Sequence, residues 1–220
     1  LVLGTSFQAW ASDESLGVMR LTREEFREFV MDHELAPRAP MAPESAFANG
    51  FESSLSLLSY LQYTPSERNQ GQCGNCWAWA GTGAMGIDLN VQKGVKDRLS
   101  TQFIGACNTA KSCCDGGWLE NVATFYTSKQ YIVPWSNTNA HWQNGDGNCN
   151  VSCASIGTSP NYPITSIERQ AITTQGSTMT QAQAIANIKS ILNQNKAVWF
   201  AFFVPTEADG NQFQNFWSTN

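Results

Sequence analysis

The sequence predicts an α+β fold, with a helical first half and a second part that begins a sheet. Three observations carry this. Apolar residues recur at helical spacing in several segments of the first half. The continuous apolar run 197–204 (AVWFAFFV) precedes Pro205 and reads as a strand buried on both faces. The chain has 220 residues, 42% hydrophobic and 14% charged, enough for one sizeable domain or two small lobes.

The first region is 1–45. Its opening 1–11 is partly apolar without a preceding basic residue, so it is not a complete export signal, and the chain reads as starting after processing or as an engineered piece. Thr22 is a candidate N-cap with Glu25 at the capping-box position, and Leu21 and Phe26 are placed for a hydrophobic staple. Phe26, Phe29 and Val30 make a narrow apolar stripe that must dock on something. Pro37, Pro40 and Pro43 end the helix and start a stiff linker. The region reads as a short pro-like segment lying on the rest of the protein.

The second region, 46–162, is predicted helical. A turn-rich loop, 69–76, leads into a segment where Cys76, Ala80, Gly83, Ala84, Ile87 and Val91 fall on one face, and Gly94 stops it. Small residues dominate that face, which predicts a central helix with close neighbours. A second helix is expected over 99–106 with Ser100 as cap, a third over 118–127, and a long polar loop over 137–163. The third region, 163–220, holds a helix signalled by Thr180 and Gln183, with Ile185, Ile188 and Leu192 as its apolar face, and then the 197–204 strand. A lone strand leaves backbone groups unpaired on both sides, so its partner strands are expected from elsewhere.

Composition excludes some classes. The net charge of −5 gives no basic footprint for nucleic acid, and no apolar run is long enough to cross a bilayer. The seven Cys are Cys73, Cys76, Cys107, Cys113, Cys114, Cys149 and Cys153. An odd count leaves one thiol over if the rest pair, and the exposed-looking context of Cys149 and Cys153 points to an oxidising, extracytoplasmic compartment, secreted or lysosome-like.

Cys76 falls at the N-terminus of the central helix, where free N–H groups and the helix dipole favour a thiolate. Gln70, on the preceding loop, and the Cys76 N–H are candidate donors to a developing oxyanion. Cys73-Gly74-Asn75-Cys76 is also a C-x-x-C, which leaves open a thiol-disulfide oxidoreductase. No apolar strand precedes it, and the Trp follows the pair rather than preceding it. A zinc site lacks a second paired ligand set, so no metal and no cofactor are expected.

Residues 70–80, QGQCGNCWAWA, resemble the active-site signature Q-G-x-C-G-x-C-W-A-[FW] of the papain (cathepsin-type) cysteine peptidase family. Leu99-Ser100-Thr101-Gln102 is similar to the family's L-S-x-Q, and Cys114-Asp115-Gly116-Gly117-Trp118 to C-x-G-G-[YW]. The resemblance implies a papain-like two-lobe fold, a helical lobe and a β-barrel-like lobe, with the second lobe incomplete over 163–220. It implies Cys76 as nucleophile and Gln70 as oxyanion donor. Gly116 and Gly117 would bind an extended peptide backbone, and Trp118 would wall the pocket beside the scissile residue. It implies a Cys73–Cys114 disulfide and a Cys107 bond to Cys149 or Cys153, with Cys113 taking the other.

The expected function is therefore a cysteine endopeptidase acting on peptide or protein substrates, in a proenzyme or cleaved form. The alternative is a catalytically silent peptide-binding module. Such an enzyme needs a histidine base. The histidines are His33, in the pro-like segment, and His141, in the polar loop, and neither falls where the family's base does. The base and its orienting asparagine are expected beyond residue 220, in a cleaved or truncated form of the enzyme, with a second polypeptide supplying them and the missing strands.

Overall fold

The structure is a computed structural model, and it describes residues 21–43, 54–62, 68–111, 113–201 and 207–219. The expected staple pair and capping box fall within these residues. The opening 1–20, residues 44–53 and the end of the 197–204 run lie outside them.

Helix α1 is Arg23–Leu35. The Glu25 N–H donates to Thr22 Oγ1 at 3.2 Å and the Thr22 N–H to Glu25 Oε2 at 2.8 Å, so the capping box forms. It ends before Pro37, whose ring disfavours helix at the preceding residue. Helix α2 is Cys76–Lys93, and its C-cap, Gly94, adopts φ +67, a left-handed conformation open to glycine. Helix α3 is Thr101–Cys107, capped by a 2.9 Å bond from the Phe103 N–H to Ser100 Oγ. Helix α4 is Leu119–Lys129.

These helices enclose the core. Trp77 and Ala78 of α2, Phe103 and Ile104 of α3, and Val122, Phe125 and Tyr126 of α4 are buried together. Phe103 meets Phe125 edge-on at 5.4 Å. The buried face of α2 differs from the expected one. Trp77, Ala78, Trp79, Gly81, Thr82, Gly86 and Ile87 are buried, whereas Cys76 and Val91 are exposed and Ala80, Gly83 and Ala84 are half-buried. The two tryptophans set the rotation, because they carry the largest apolar area. Gly81 permits it, since a Cβ there would lie 2.8 Å from both Val122 methyls.

Strands β1 (Tyr131–Ile132) and β2 (Tyr162–Pro163) pair antiparallel, with Tyr131 opposite Pro163. Helix α5 is Gln181–Leu192, with the Gln183 N–H donating to Thr180 Oγ1 at 3.2 Å. It buries Ala186, Asn187 and Ile191, while Ile185 is 44% exposed, so this face too is rotated from the expected one. Asn187 explains the rotation. It accepts from the Ala42 N–H and donates to the Thr173 carbonyl, each at 2.8 Å, and a buried amide must be satisfied.

The strand expected at 197–204 does not form over 197–201. Residues 197–201 adopt neither strand nor bridge conformation, and Phe200 is 77% exposed. An apolar run becomes a strand only where neighbours take its N–H and C=O groups. Helix α6, Glu207–Thr219, was not anticipated, although Phe213, Phe216 and Trp217 recur at helical spacing in the sequence. The observed architecture is α+β, as expected, with helices dominating the described residues.

Candidate functional site

Three loops meet at the start of α2. The loop before Cys76 is pinned to 113–118 by the Cys73–Cys114 disulfide. Gly74 permits the approach, because a Cβ there would lie 2.7 Å from the Cys114 carbonyl oxygen. On its other side the Gln72 N–H donates to the Gly145 carbonyl at 2.9 Å. Gly71 turns there with φ +65, and a Cβ at that position would run into the Gly145 backbone.

Cys76 is the free cysteine, and its residue surface is exposed. The other six pair as Cys73–Cys114, Cys107–Cys153 and Cys113–Cys149. This resolves the two pairings left open and rules out a Cys73–Cys76 bond in this structure. Burial of the sulfur pushes the Cys76 thiol up, and the Trp77 and Cys76 N–H groups at the helix start only partly offset it. The expected lowering of this thiol therefore does not prevail: the donors are present, but desolvation outweighs them. His33 and His141 are exposed and neither is hydrogen-bonded to Cys76.

Gln70 is half-buried on the loop leading to α2. Gly116 turns with φ +82, and Gly117 packs so tightly on the Trp77 indole that a Cβ would lie 2.8 Å from the ring. Trp118 is 4% exposed, and what covers it includes α1. Its Nε1 donates to Asp32 Oδ2 at 2.8 Å, and Phe29 meets its ring edge-on at 6.2 Å. The Lys111 ammonium sits 4.8 Å from the Trp118 ring centroid and 2.7 Å from Glu25 Oε1. Past α1, residues 37–39 run parallel to Ala171: the Ala171 N–H donates to the Pro37 carbonyl at 2.8 Å and the Ala39 N–H to the Ala171 carbonyl at 3.0 Å. A separate small surface recess, lined by residues including Arg68, Trp79, Thr82 and Asp97, contains neither Cys76 nor Gln70.

Sequence reasoning missed Asn75. It is fully buried as the N-cap of α2, and its carbonyl accepts from the Ala78 and Trp79 N–H groups at 3.1 and 3.2 Å. Its side-chain Oδ1 and Nδ2 have no hydrogen-bond partner. Nothing in the local sequence separates such a residue from an exposed loop asparagine.

Residues 61–211 match the model of the papain family of cysteine proteases. Among curated proteins, the chain is 27% identical over 145 residues to a cathepsin B-like protein, CP2, of Giardia intestinalis, covering 61% of this chain and 47% of that protein. It is 36% identical over 59 residues to cathepsin L 2 of Paramecium tetraurelia, covering 26% of this chain and 19% of that protein. The chain thus spans less than half the length of either relative. Among solved structures, procathepsin B S9 of Trypanosoma congolense aligns at 17% identity and TM-score 0.41, covering 85% of this chain and 56% of that one. The ragweed pollen protease Amb a 11 in its proform aligns at 22% identity and TM-score 0.40, covering 59% and 38%. At these TM-scores the structural likenesses carry no weight beyond the family match.

Proposed function

The chain belongs to the papain family of cysteine proteases, and on that premise we propose that Cys76 is the nucleophile of a cysteine endopeptidase acting on peptide or protein substrates. The observation that carries the reading is that Cys76 alone escapes the disulfides and stands exposed at the N-terminus of the buried helix α2. In the proposed mechanism the Cys76 thiolate attacks the scissile carbonyl carbon. The oxyanion rests on the Gln70 amide and the Cys76 N–H, the amine leaves with a proton, and water releases the acyl group. Gly116 and Gly117 offer backbone groups to the extended substrate, and Trp118 walls the adjoining pocket.

The reaction needs an imidazole base, and neither His33 nor His141 is hydrogen-bonded to Cys76. The activity is accordingly proposed for the whole protein rather than for residues 1–220 alone. Nothing in the fold or the comparisons supports the second polypeptide expected from the sequence. The α1 segment on Trp118 supports a proenzyme form, and three disulfides support a secreted or lysosome-like location. No described helix is long and apolar enough to cross a membrane.

The test is labelling with a peptidyl epoxide followed by peptide mapping. Modification at Cys76 and at no other cysteine is expected, and loss of it in Cys76→Ala. An unmodified Cys76, or equal labelling of the unfolded chain, would sink the reading. The raised thiol favours a second reading, the silent peptide-binding module, which predicts peptide binding with no covalent adduct.

A further inference from the structure

The disulfides outside the nucleophile carry an inference independent of the peptidase reading. Two of them, Cys73–Cys114 and Cys113–Cys149, touch. Cys114 Sγ lies 3.4 Å from Cys113 Sγ and 3.7 Å from Cys149 Sγ. The sulfurs of Cys73, Cys113 and Cys114 all fall within 4.8 Å of one another. Exposure is graded across the group: Cys149 is exposed, Cys114 half-buried, Cys113 6% exposed and Cys73 fully buried. Cys113 Sγ also accepts from the buried Asn144 Nδ2 at 3.4 Å, a donor suited to a departing thiolate.

We propose that the Cys113–Cys149 disulfide is an entry site for a small dithiol reductant, and that exchange within the four sulfurs passes the reduction inward to Cys73. A thiolate of the dithiol attacks the exposed Cys149 Sγ. Cys113 leaves as a thiolate beside Asn144 and takes a proton. The second thiol of the reductant then closes the reagent's own disulfide and releases Cys149 as a thiolate. That thiolate attacks Cys114 Sγ, forming Cys114–Cys149 and expelling Cys73, which takes a proton. One dithiol has been oxidised, one protein disulfide reduced, and the two new thiols are on Cys113 and Cys73. Cys149 carries the exchange rather than Cys113, because adjacent Cα atoms are about 3.8 Å apart, below the ~4.4 Å that unstrained disulfides span. The result unfastens the loop before Cys76 from 113–118, the segment to which Cys73 holds it.

The test uses the chain as it stands with substoichiometric dithiothreitol. Samples are quenched in acid and alkylated with light iodoacetamide, then fully reduced, alkylated with heavy iodoacetamide and mapped by fragmentation. In the species that has gained two thiols, light label is expected on Cys113 and Cys73, with Cys114 and Cys149 heavy. Light label on Cys113 and Cys149 with Cys73 heavy would overturn the proposal, as would first reduction at Cys107–Cys153. In the C113S/C149S double variant, light labelling of Cys73 at the same dose should fall at least tenfold, and unchanged labelling would also overturn it. If that variant does not fold, the first arm decides alone. Either failure leaves the Cys76 epoxide result untouched.

Discussion

The Cys76 sulfur stands between two opposed influences. Protein atoms crowd it and disfavour the charged form, while the N–H groups of Cys76 and Trp77 favour it. Crowding wins, so alkylation of Cys76 should rise with pH to a midpoint above that of an ordinary cysteine. Iodoacetamide rates across the alkaline range check this, and a midpoint below the ordinary value would show that the helix start dominates after all. An imidazolium brought against the sulfur in the whole protein would reverse the sign. The neighbouring constraint at Gly74 is steric. A methyl there meets a backbone oxygen whose residue is tied down by Cys73–Cys114, so relief must come from the loop itself. Gly74→Ala should destabilise the fold by about 1–3 kcal/mol, as overpacking does, read by denaturant unfolding under non-reducing conditions. An unchanged midpoint would mean that the two loops separate freely.

At the scale of elements, what the sequence made legible was local chemistry. Thr22 with Glu25, Ser100, Thr180 and Gly94 each sit where a cap was expected, because a cap is decided by a few consecutive residues. Buried faces were less legible. The rotation of α2 depends on Val122 lying against Gly81, and that of α5 on Ala42 and Thr173 reaching Asn187, contacts far apart in sequence. Asn187→Ala removes both of these bonds and leaves the Ala42 N–H without its partner. A loss of about 1–3 kcal/mol is expected, with faster amide exchange at Ala42 as the specific readout. The docking of α1 also depends on pH. Burial alone would raise the Glu25 carboxyl, but hydrogen bonds from Lys111 and Thr22 bring it below its ordinary value. A lowered carboxyl stabilises the docked helix fully above the ordinary value, and that contribution is lost as pH falls through the lowered one. The protection of the amides in 23–35, read as the ratio of the intrinsic to the observed exchange rate at each pH, should therefore fall on acidification, and Glu25→Gln should flatten the dependence.

At the scale of the molecule, the family and the nucleophile were readable because the signature around Cys76 and the motifs at 99–102 and 114–118 are short and ordered. The 197–204 run misled because its apolarity specifies burial but not the strand that must pair with it. What unites the molecule is the path of its first segment. Helix α1 lies on Trp118 through Asp32, Phe29 and the Lys111–Glu25 pair, residues 37–39 run along Ala171, and Ala42 is held by Asn187. The described part of this segment, 21–43, therefore touches both the segment proposed to bind substrate and the helix α5 region. If this path blocks the approach to Cys76, deleting residues 1–45 should speed peptidyl epoxide labelling of Cys76 by at least tenfold. Labelling by iodoacetamide, small enough to reach the crowded Cys76 sulfur without passing along the substrate path, should change far less. Equal acceleration of both reagents would indicate a general loosening of the fold, and no change in either would show that the segment merely lies on the surface. Asp32→Asn offers the milder version of the same experiment. It weakens the bond to Trp118 Nε1 without removing the helix, so epoxide labelling should rise by a smaller factor while the midpoint of unfolding stays close to that of the parent.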